Sequence, residues 1–196
     1  MTSELRIAFD PVADALGALE IDYRIGGSVA SSALGVGRST LDVDIVADIR
    51  EEDVDPFVAR LTPTYYVDAE SIRDAIRRRR CFNVIHLGTM IKVDVFVIGV
   101  QPYDRASFER VTVHGIGGDR DRTFPLSTAE DVVLRKLDWY ERGERVSERQ
   151  WNDVLGVLRV QAEALDLDYL RRWAVHLGVS ELLQRALRAS DSCDDD

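Results

Sequence analysis

The sequence is short of the residues that build disulfide frameworks and soft metal sites. It has two cysteines, Cys81 and Cys193, and three histidines, His86, His114 and His176. The cysteines lie far apart and define no disulfide framework and no metal-binding cluster. The histidines share no ligand spacing either, and none is assigned a role. Long apolar runs are also missing. No stretch reaches the ~20 residues that a membrane-spanning helix needs, and the N-terminus lacks the apolar centre of a signal peptide. A reducing cytoplasm is therefore the expected setting, with no membrane partner. Positive charge is in deficit, with 25 Lys and Arg against 35 Asp and Glu, for a formal net charge of -10. Phosphate contacts need Lys and Arg, so the chain is no general nucleic-acid binder. The run Arg77-Arg78-Arg79-Arg80 is a local exception. It reads either as a solvated helix end or as a small phosphate or RNA patch. Internal repeats and low-complexity segments are absent.

What remains is an ordinary globular composition, 45% hydrophobic and 31% charged over 196 residues. That length suits one core, or one core with a helical extension. Residues 5–19 carry Leu5, Phe9, Val12, Leu16 and Leu19 at helical spacing. Asp10-Pro11 fits the first turn of that helix better than its middle. Tyr23-Arg24-Ile25 is a short extended stretch ended by Gly26-Gly27, and residues 29–34 read as a short helix. Residues 41–46 alternate as a strand, with Leu41, Val43 and Ile45 on one face and Asp42, Asp44 and Val46 on the other. Helices are expected over 51–61 and 69–80. Residues 81–87 and 90–98 read as two strands of a hairpin turning at Gly88-Thr89, with a further strand near 110–113. After Pro125 the texture becomes helical. Ser127 and Glu130 form a capping-box pattern, and three further helices open near Trp151, Leu167 and Ser180. Trp139, Tyr140, Trp151 and Trp173 are expected in the core. The organisation is a mixed α/β part over 1–124, a helical part over 125–189, and a small acidic tail over 190–196 that is expected to fray.

One constellation carries chemistry. Gly26-Gly27-Ser28 is followed, thirteen residues on, by Asp42-Val43-Asp44. Glycines after a strand let the backbone approach a ligand and adopt turn angles closed to other residues. The Ser28 hydroxyl and the N–H groups of a helix start can hold phosphate oxygens. Asp42 and Asp44, two apart on a strand, point to one face. Paired carboxylates repel in a core but suit Mg2+, a hard cation that takes oxygen ligands. Asp94 stands alone in the apolar strand Lys92-Val93-Asp94-Val95-Phe96-Val97. Aspartate forms strands poorly, so it wants a partner. A metal is one candidate, and Lys92, two residues earlier on the same face, is the other. Three carboxylates and two metals serve in-line displacement at the α-phosphate of a nucleotide, where catalysis is positioning and electrostatics.

Gly27-Ser28, Asp42, Asp44 and Asp94 together resemble the signature of the DNA polymerase β-like nucleotidyltransferase superfamily. The resemblance covers about the first hundred residues. The segment from Pro125 to Leu137 looks like the helix that follows the catalytic sheet in AbiEii/AbiGii-type, MenT-like nucleotidyltransferases. Some of those are toxins of toxin–antitoxin pairs that modify the acceptor end of tRNA. The resemblance implies an α+β nucleotidyltransferase fold, a small mixed sheet flanked by helices, with a C-terminal helical bundle. It implies a Mg2+-dependent enzyme, Mn2+ being a substitute, that moves NMP from an NTP such as ATP to a hydroxyl. Asp42, Asp44 and Asp94 would be catalytic and hold the metal. Gly27 and Ser28 would bind nucleotide phosphates. Lys136 matches the family's phosphate lysine, and Asp153, in Gln150-Trp151-Asn152-Asp153, matches an aspartate of a second helix. Read alone, Lys136 is a solvated lysine and Asp153 a surface acid pairing with Arg149. The arginine that usually precedes that second helix is matched only loosely, by Arg145 or Arg149.

The acceptor stays open between a tRNA 3′ end, a protein side chain and a small molecule, and an antitoxin protein is a candidate partner. Two other readings compete. One is a non-catalytic nucleotide-binding module, half of a two-protein complex; the other is a structural protein with a chance motif.

Overall fold

The structure, a computed structural model, describes residues 3–37, 42–116 and 122–191. In chain order its elements are α1 (Ser3–Ala18), β1 (Tyr23–Ile25), α2 (Gly27–Leu34) and β2 (Val43–Ala47). A 3-10 turn (Glu51–Asp53) leads into α3 (Val54–Leu61), β3 (Tyr65–Tyr66) and α4 (Ala69–Arg78). Then come β4 (Cys81–His86), β5 (Lys92–Val97), α5 (Pro102–Glu109), β6 (Thr112–Gly115) and β7 (Thr123–Leu126). Four helices close the chain: α6 (Ala129–Arg142), α7 (Glu148–Gln161), α8 (Leu167–Leu177) and α9 (Ser180–Asp191). The fold is α+β, a mixed sheet flanked by helices with a helical C-terminal part. Two compact units emerge. One lies within Met1–Val29 and Ser39–Leu126, the other within Ala30–Arg38 and Ser127–Asp196.

The first unit is built on the sheet. Its strand order is β3-β4-β5-β2-β1-β7-β6. The pairs β2/β5 and β1/β7 are parallel, and the other neighbours are antiparallel. Strict alternation explains its faces. Val43, Ile45 and Ala47 of β2 are fully buried, as are Val93 and Val95 of β5 and Val84 of β4. Each such side chain, moved out of water, contributes roughly 1.5–3 kcal/mol for the larger residues. The residues between them turn to the opposite face, which carries Asp44 of β2, Lys92 and Asp94 of β5 and Asn83 of β4.

Helix α1 buries Leu5, Phe9, Val12 and Leu16 completely. Pro11 sits inside this helix rather than in its first turn, contrary to the sequence expectation. Proline removes the donor that would reach the carbonyl four residues back. Here that residue is Ile7, itself 50% exposed, so the loss falls on the solvent side of the helix. The Tyr65 hydroxyl ties β3 to α1 by donating to the Ala8 carbonyl at 2.8 Å. Arg73 of α4 reaches Glu51, Asp55 and Glu70 at 2.9, 2.7 and 3.0 Å, joining α4 to the start of α3.

In the second unit, α6 starts one residue later than the capping pattern suggests. Thr128 is the cap and accepts from the Asp131 N–H, while Glu130 accepts from the Asp166 N–H at 2.9 Å. Asp131 also accepts from the Tyr169 hydroxyl at 2.7 Å, a buried bond between α6 and α8. Tyr140 is buried and stacks obliquely on Trp151, as expected of core aromatics, but Trp139 is 49% exposed. Helix α9 runs on through Asp191, so Ser190, expected in a fraying tail, is helical and buried. The remainder of that tail and Leu41, expected to open β2, lie outside the described residues. Among the described residues no helix is long and apolar enough to cross a membrane.

Candidate active site

The β1–β2 ladder ends where chemistry would begin. Ile25 pairs with Ile45, and the Gly26 N–H donates to the Asp44 carbonyl at 2.9 Å. The chain then turns into α2 at Gly27, whose φ is +53°. A β-carbon there would overlap Asp44 Oδ2 and stand 2.6 Å from its carboxyl carbon. Glycine at this position is thus required twice, by its backbone angle and by the carboxylate packed against it. Ser28 is the second residue of α2. The first N–H groups of a helix have no intrahelical acceptor, which is what a phosphate oxygen needs.

The parallel pairing of β2 with β5 sets Asp44 opposite Asp94. Neighbouring strands lie about 4.8 Å apart, so the two carboxylates share one face at close range. Antiparallel pairing of β4 with β5 sets Asn83 on the other side of Asp94. A lateral row results: Asp44, Asp94, Asn83. Asp42 is exposed and precedes β2 by one residue, in phase with Asp44.

Asp94 is held from two sides. Lys92 Nζ lies 2.7 Å from its Oδ2, and the Asn83 side-chain amide donates to its Oδ1. Its side chain is only 14% exposed. The hydrogen bond to Asp94, with the fields of Asp94, Asp42 and Cys81, holds the Lys92 ammonium above its ordinary pKa against the opposing effect of burial. Cys81 flanks the row on β4. Loss of water around its sulfur, then the fields of Asp94 and Asp44, push this thiol up to about 12.

Among the described residues, no three His, Cys, Asp or Glu side chains are gathered as they would be around one metal ion. The donor chemistry nevertheless fits a hard cation. The carboxylates offer oxygen ligands on one face, and Asp94 already has a cation beside it, the Lys92 ammonium. Asp42, Asp44 and Asp94 are the residues that would hold Mg2+.

Lys136 and Asp153 lie in the helical unit and meet there. Lys136 Nζ is 2.8 Å from Asp153 Oδ2, with side chains 11% and 8% exposed. The lysine is not solvated, and the aspartate pairs with a lysine seventeen residues earlier rather than with Arg149. The Arg77–Arg80 run is exposed at the end of α4, with Arg77 and Arg78 both on Asp74.

Asn83 was not singled out in the sequence, although a signal was there. A hairpin turning at Gly88-Thr89 pairs residues equidistant from its turn, and that sets Asn83 against Asp94.

No protein-family model matches the chain, and no curated protein matches its sequence. Solved structures do match its fold. The lincosamide antibiotic adenylyltransferase LnuA, bound to lincomycin, is 14% identical; the match covers 82% of this chain and 98% of that one, with a TM-score of 0.50. The antibiotic-resistance factor ANT(2'')-Ia is 12% identical over 97% of this chain and 96% of its own, with a TM-score of 0.55. An antigenic nucleotidyltransferase-like protein from Paracoccidioides brasiliensis is 19% identical over 96% and 94%, with a TM-score of 0.50. The chain therefore has the nucleotidyltransferase fold.

Proposed function

We propose that this protein is a Mg2+-dependent nucleotidyltransferase that transfers a nucleoside monophosphate from an NTP to a hydroxyl and releases pyrophosphate. One observation carries the reading: Gly27 is packed on Asp44, and Asp44 stands beside Asp94, on a sheet of nucleotidyltransferase topology. Gly27 and Ser28 hold the phosphate end of the nucleotide at the start of α2. Asp42, Asp44 and Asp94 would hold the cation, and Asp94 also takes the proton of the acceptor hydroxyl as the new O–P bond forms. The bond between the α-phosphorus and the pyrophosphate oxygen breaks in the same displacement. The metal supplies charge neutralisation on the triphosphate.

A small hydroxylated molecule is the acceptor class that the neighbours favour, since two of them are named as antibiotic-modifying or resistance proteins. The net charge of -10 also sets this chain against a long polyanionic acceptor. The tRNA 3′ end, with an antitoxin partner, is a second reading. It rests on the resemblance of the segments around Lys136 and Asp153 to the toxin-type enzymes.

The test is transfer of label from each α-labelled NTP, with Mg2+, to total tRNA, to lysate protein and to a panel of hydroxylated small molecules, with pyrophosphate measured alongside. Transfer that disappears in Asp42→Ala/Asp44→Ala supports the enzyme and names its acceptor class. Nucleotide binding without pyrophosphate release would favour the non-catalytic module instead.

A further inference from the structure

We infer that Lys92 is an internal counter-ion for Asp94, occupying the place of a divalent cation until one binds, and that Asn83 fixes the carboxylate it releases. The inference rests on the reading of the site as a metal-dependent one and adds two positioning residues to it.

The argument starts from the row of side chains on the polar face. Asp44 and Asp94 are register partners on adjacent strands, and like charges set directly opposite are unfavourable. A cation beside one of the two carboxylates offsets part of that repulsion when no metal is present. Lys92 does so from its own strand, two residues before Asp94, with Nζ 2.7 Å from Oδ2. The two ends of this ion pair differ in freedom. The Asp94 side chain is 14% exposed and the Lys92 side chain 46% exposed. The carboxylate is fixed in the sheet, whereas the lysine is a long stem with a largely hydrated head that can swing into water at little cost.

Asn83 works differently. It is neutral and donates to the other oxygen, Oδ1, from the neighbouring strand. A cation arriving at Oδ2 would displace Lys92 but leave the Asn83 bond in place. The carboxylate would then keep its plane while its charge partner changed. Lys92 thus competes with the metal and Asn83 does not, so their removal has opposite consequences.

The measurement is metal binding to the full chain without nucleotide, with Mn2+ as the probe. The EPR signal of the free ion reports binding, and Mg2+ is added as competitor. Wild type, Lys92→Met, Lys92→Arg, Asn83→Ala and Asp94→Asn are compared. Lys92→Met should bind Mn2+ about fivefold more tightly, the ratio set by an exposed charge pair. Lys92→Arg, which keeps the charge, should stay within about twofold of wild type. Asn83→Ala should bind more weakly. The melting temperature of Lys92→Met without metal should fall below that of wild type, and saturating Mg2+ should restore it. Equal or weaker binding by Lys92→Met would overturn the inference while leaving the metal site intact. Wild-type binding undiminished in Asp94→Asn would overturn it as well, with the metal then held by Asp42 and Asp44. No Mn2+ binding by the wild type would remove the metal-site reading itself, and this inference with it.

Discussion

Gly27 lies against the Asp44 carboxylate so closely that a methyl group on the glycine would stand 2.6 Å from the carboxyl carbon. The turn that opens α2 and the strand that carries the acids are therefore one steric unit. Gly27→Ala should lose transfer activity by at least about 100-fold, since the alanine must push Asp44 out of its row. The left-handed backbone adds a stability cost of roughly 1–2 kcal/mol. Calorimetry and the labelled-NTP assay together check both parts. Activity close to wild type would show that Asp44 need not hold this position.

The Lys136–Asp153 pair sits in the helical unit with both side chains about nine-tenths buried. Removing one partner takes from the other the ion pair that offsets its burial, at a cost of up to about 3 kcal/mol. Lys136→Met and Asp153→Asn should each lower the melting temperature by several degrees without any nucleotide present. The double variant Lys136→Met/Asp153→Leu should recover part of that loss. Unchanged melting in both single variants would mean that the pair does not hold α6 to α7, and a role toward nucleotide would gain weight.

Tyr169 donates to Asp131, which also caps its own helix through Thr128. Both residues are nearly inaccessible, and a buried hydrogen bond to a charged group is worth about 1.5–3 kcal/mol. Tyr169→Phe should therefore cost about 2 kcal/mol in urea unfolding, with little change in KM for NTP. A neutral effect on stability would show that water replaces the hydroxyl.

The elements readable from sequence were those with a clear period or clear end signals: helices α1 to α4, the four C-terminal helices, β1, β2, the β4–β5 hairpin and, shifted by about two residues, β6. What escaped was short or broke a local rule. β3 is two residues long, and β7 contains Pro125, which argues against a strand, yet β7 joins the sheet beside β1. Helix α5 hides behind Pro102, which is at home in a first turn. The site shows the same division. Asp44 and Asp94 could be placed on one face by alternation, but their register is a tertiary fact: the parallel β2/β5 pairing crosses nearly fifty residues of intervening chain. Lys136 and Asp153 could be named only through resemblance, because seventeen residues of sequence do not say that two helices will bring them into contact.

Cys81 offers a chemical probe of the polar face. It is exposed as a residue, but its thiol is pushed up to about 12 by desolvation and by Asp94 and Asp44. A raised thiol pKa means less thiolate at every pH below it, and only the thiolate alkylates. In a Cys193→Ser background, Cys81 should react with iodoacetamide at pH 8 about 10²- to 10³-fold more slowly than a free thiol. Its rate should still be climbing at pH 10, where an ordinary cysteine has levelled off. A plateau near pH 9 would mean that neither the loss of water around the sulfur nor the carboxylate row acts on this thiol.

Asp44 carries the sharpest contrast between folding and function. It faces Asp94 across the β2–β5 register, and opposed carboxylates work against the fold. Asparagine keeps the shape and removes the charge. Asp44→Asn should therefore melt at or slightly above the wild-type temperature when no metal is present, by about 0–1 kcal/mol. The same change removes an oxygen anion that the proposed transfer would use, so transfer should fall by about 10²–10³-fold or more. Excess Mg2+ should raise the melting temperature of the wild type but not that of the variant, because only the wild type gains by binding the ion. A variant that melts lower than wild type would place Asp44 among the structural acids. A more stable, inactive and Mg2+-insensitive protein would mean that this carboxylate is kept for chemistry, at the expense of stability.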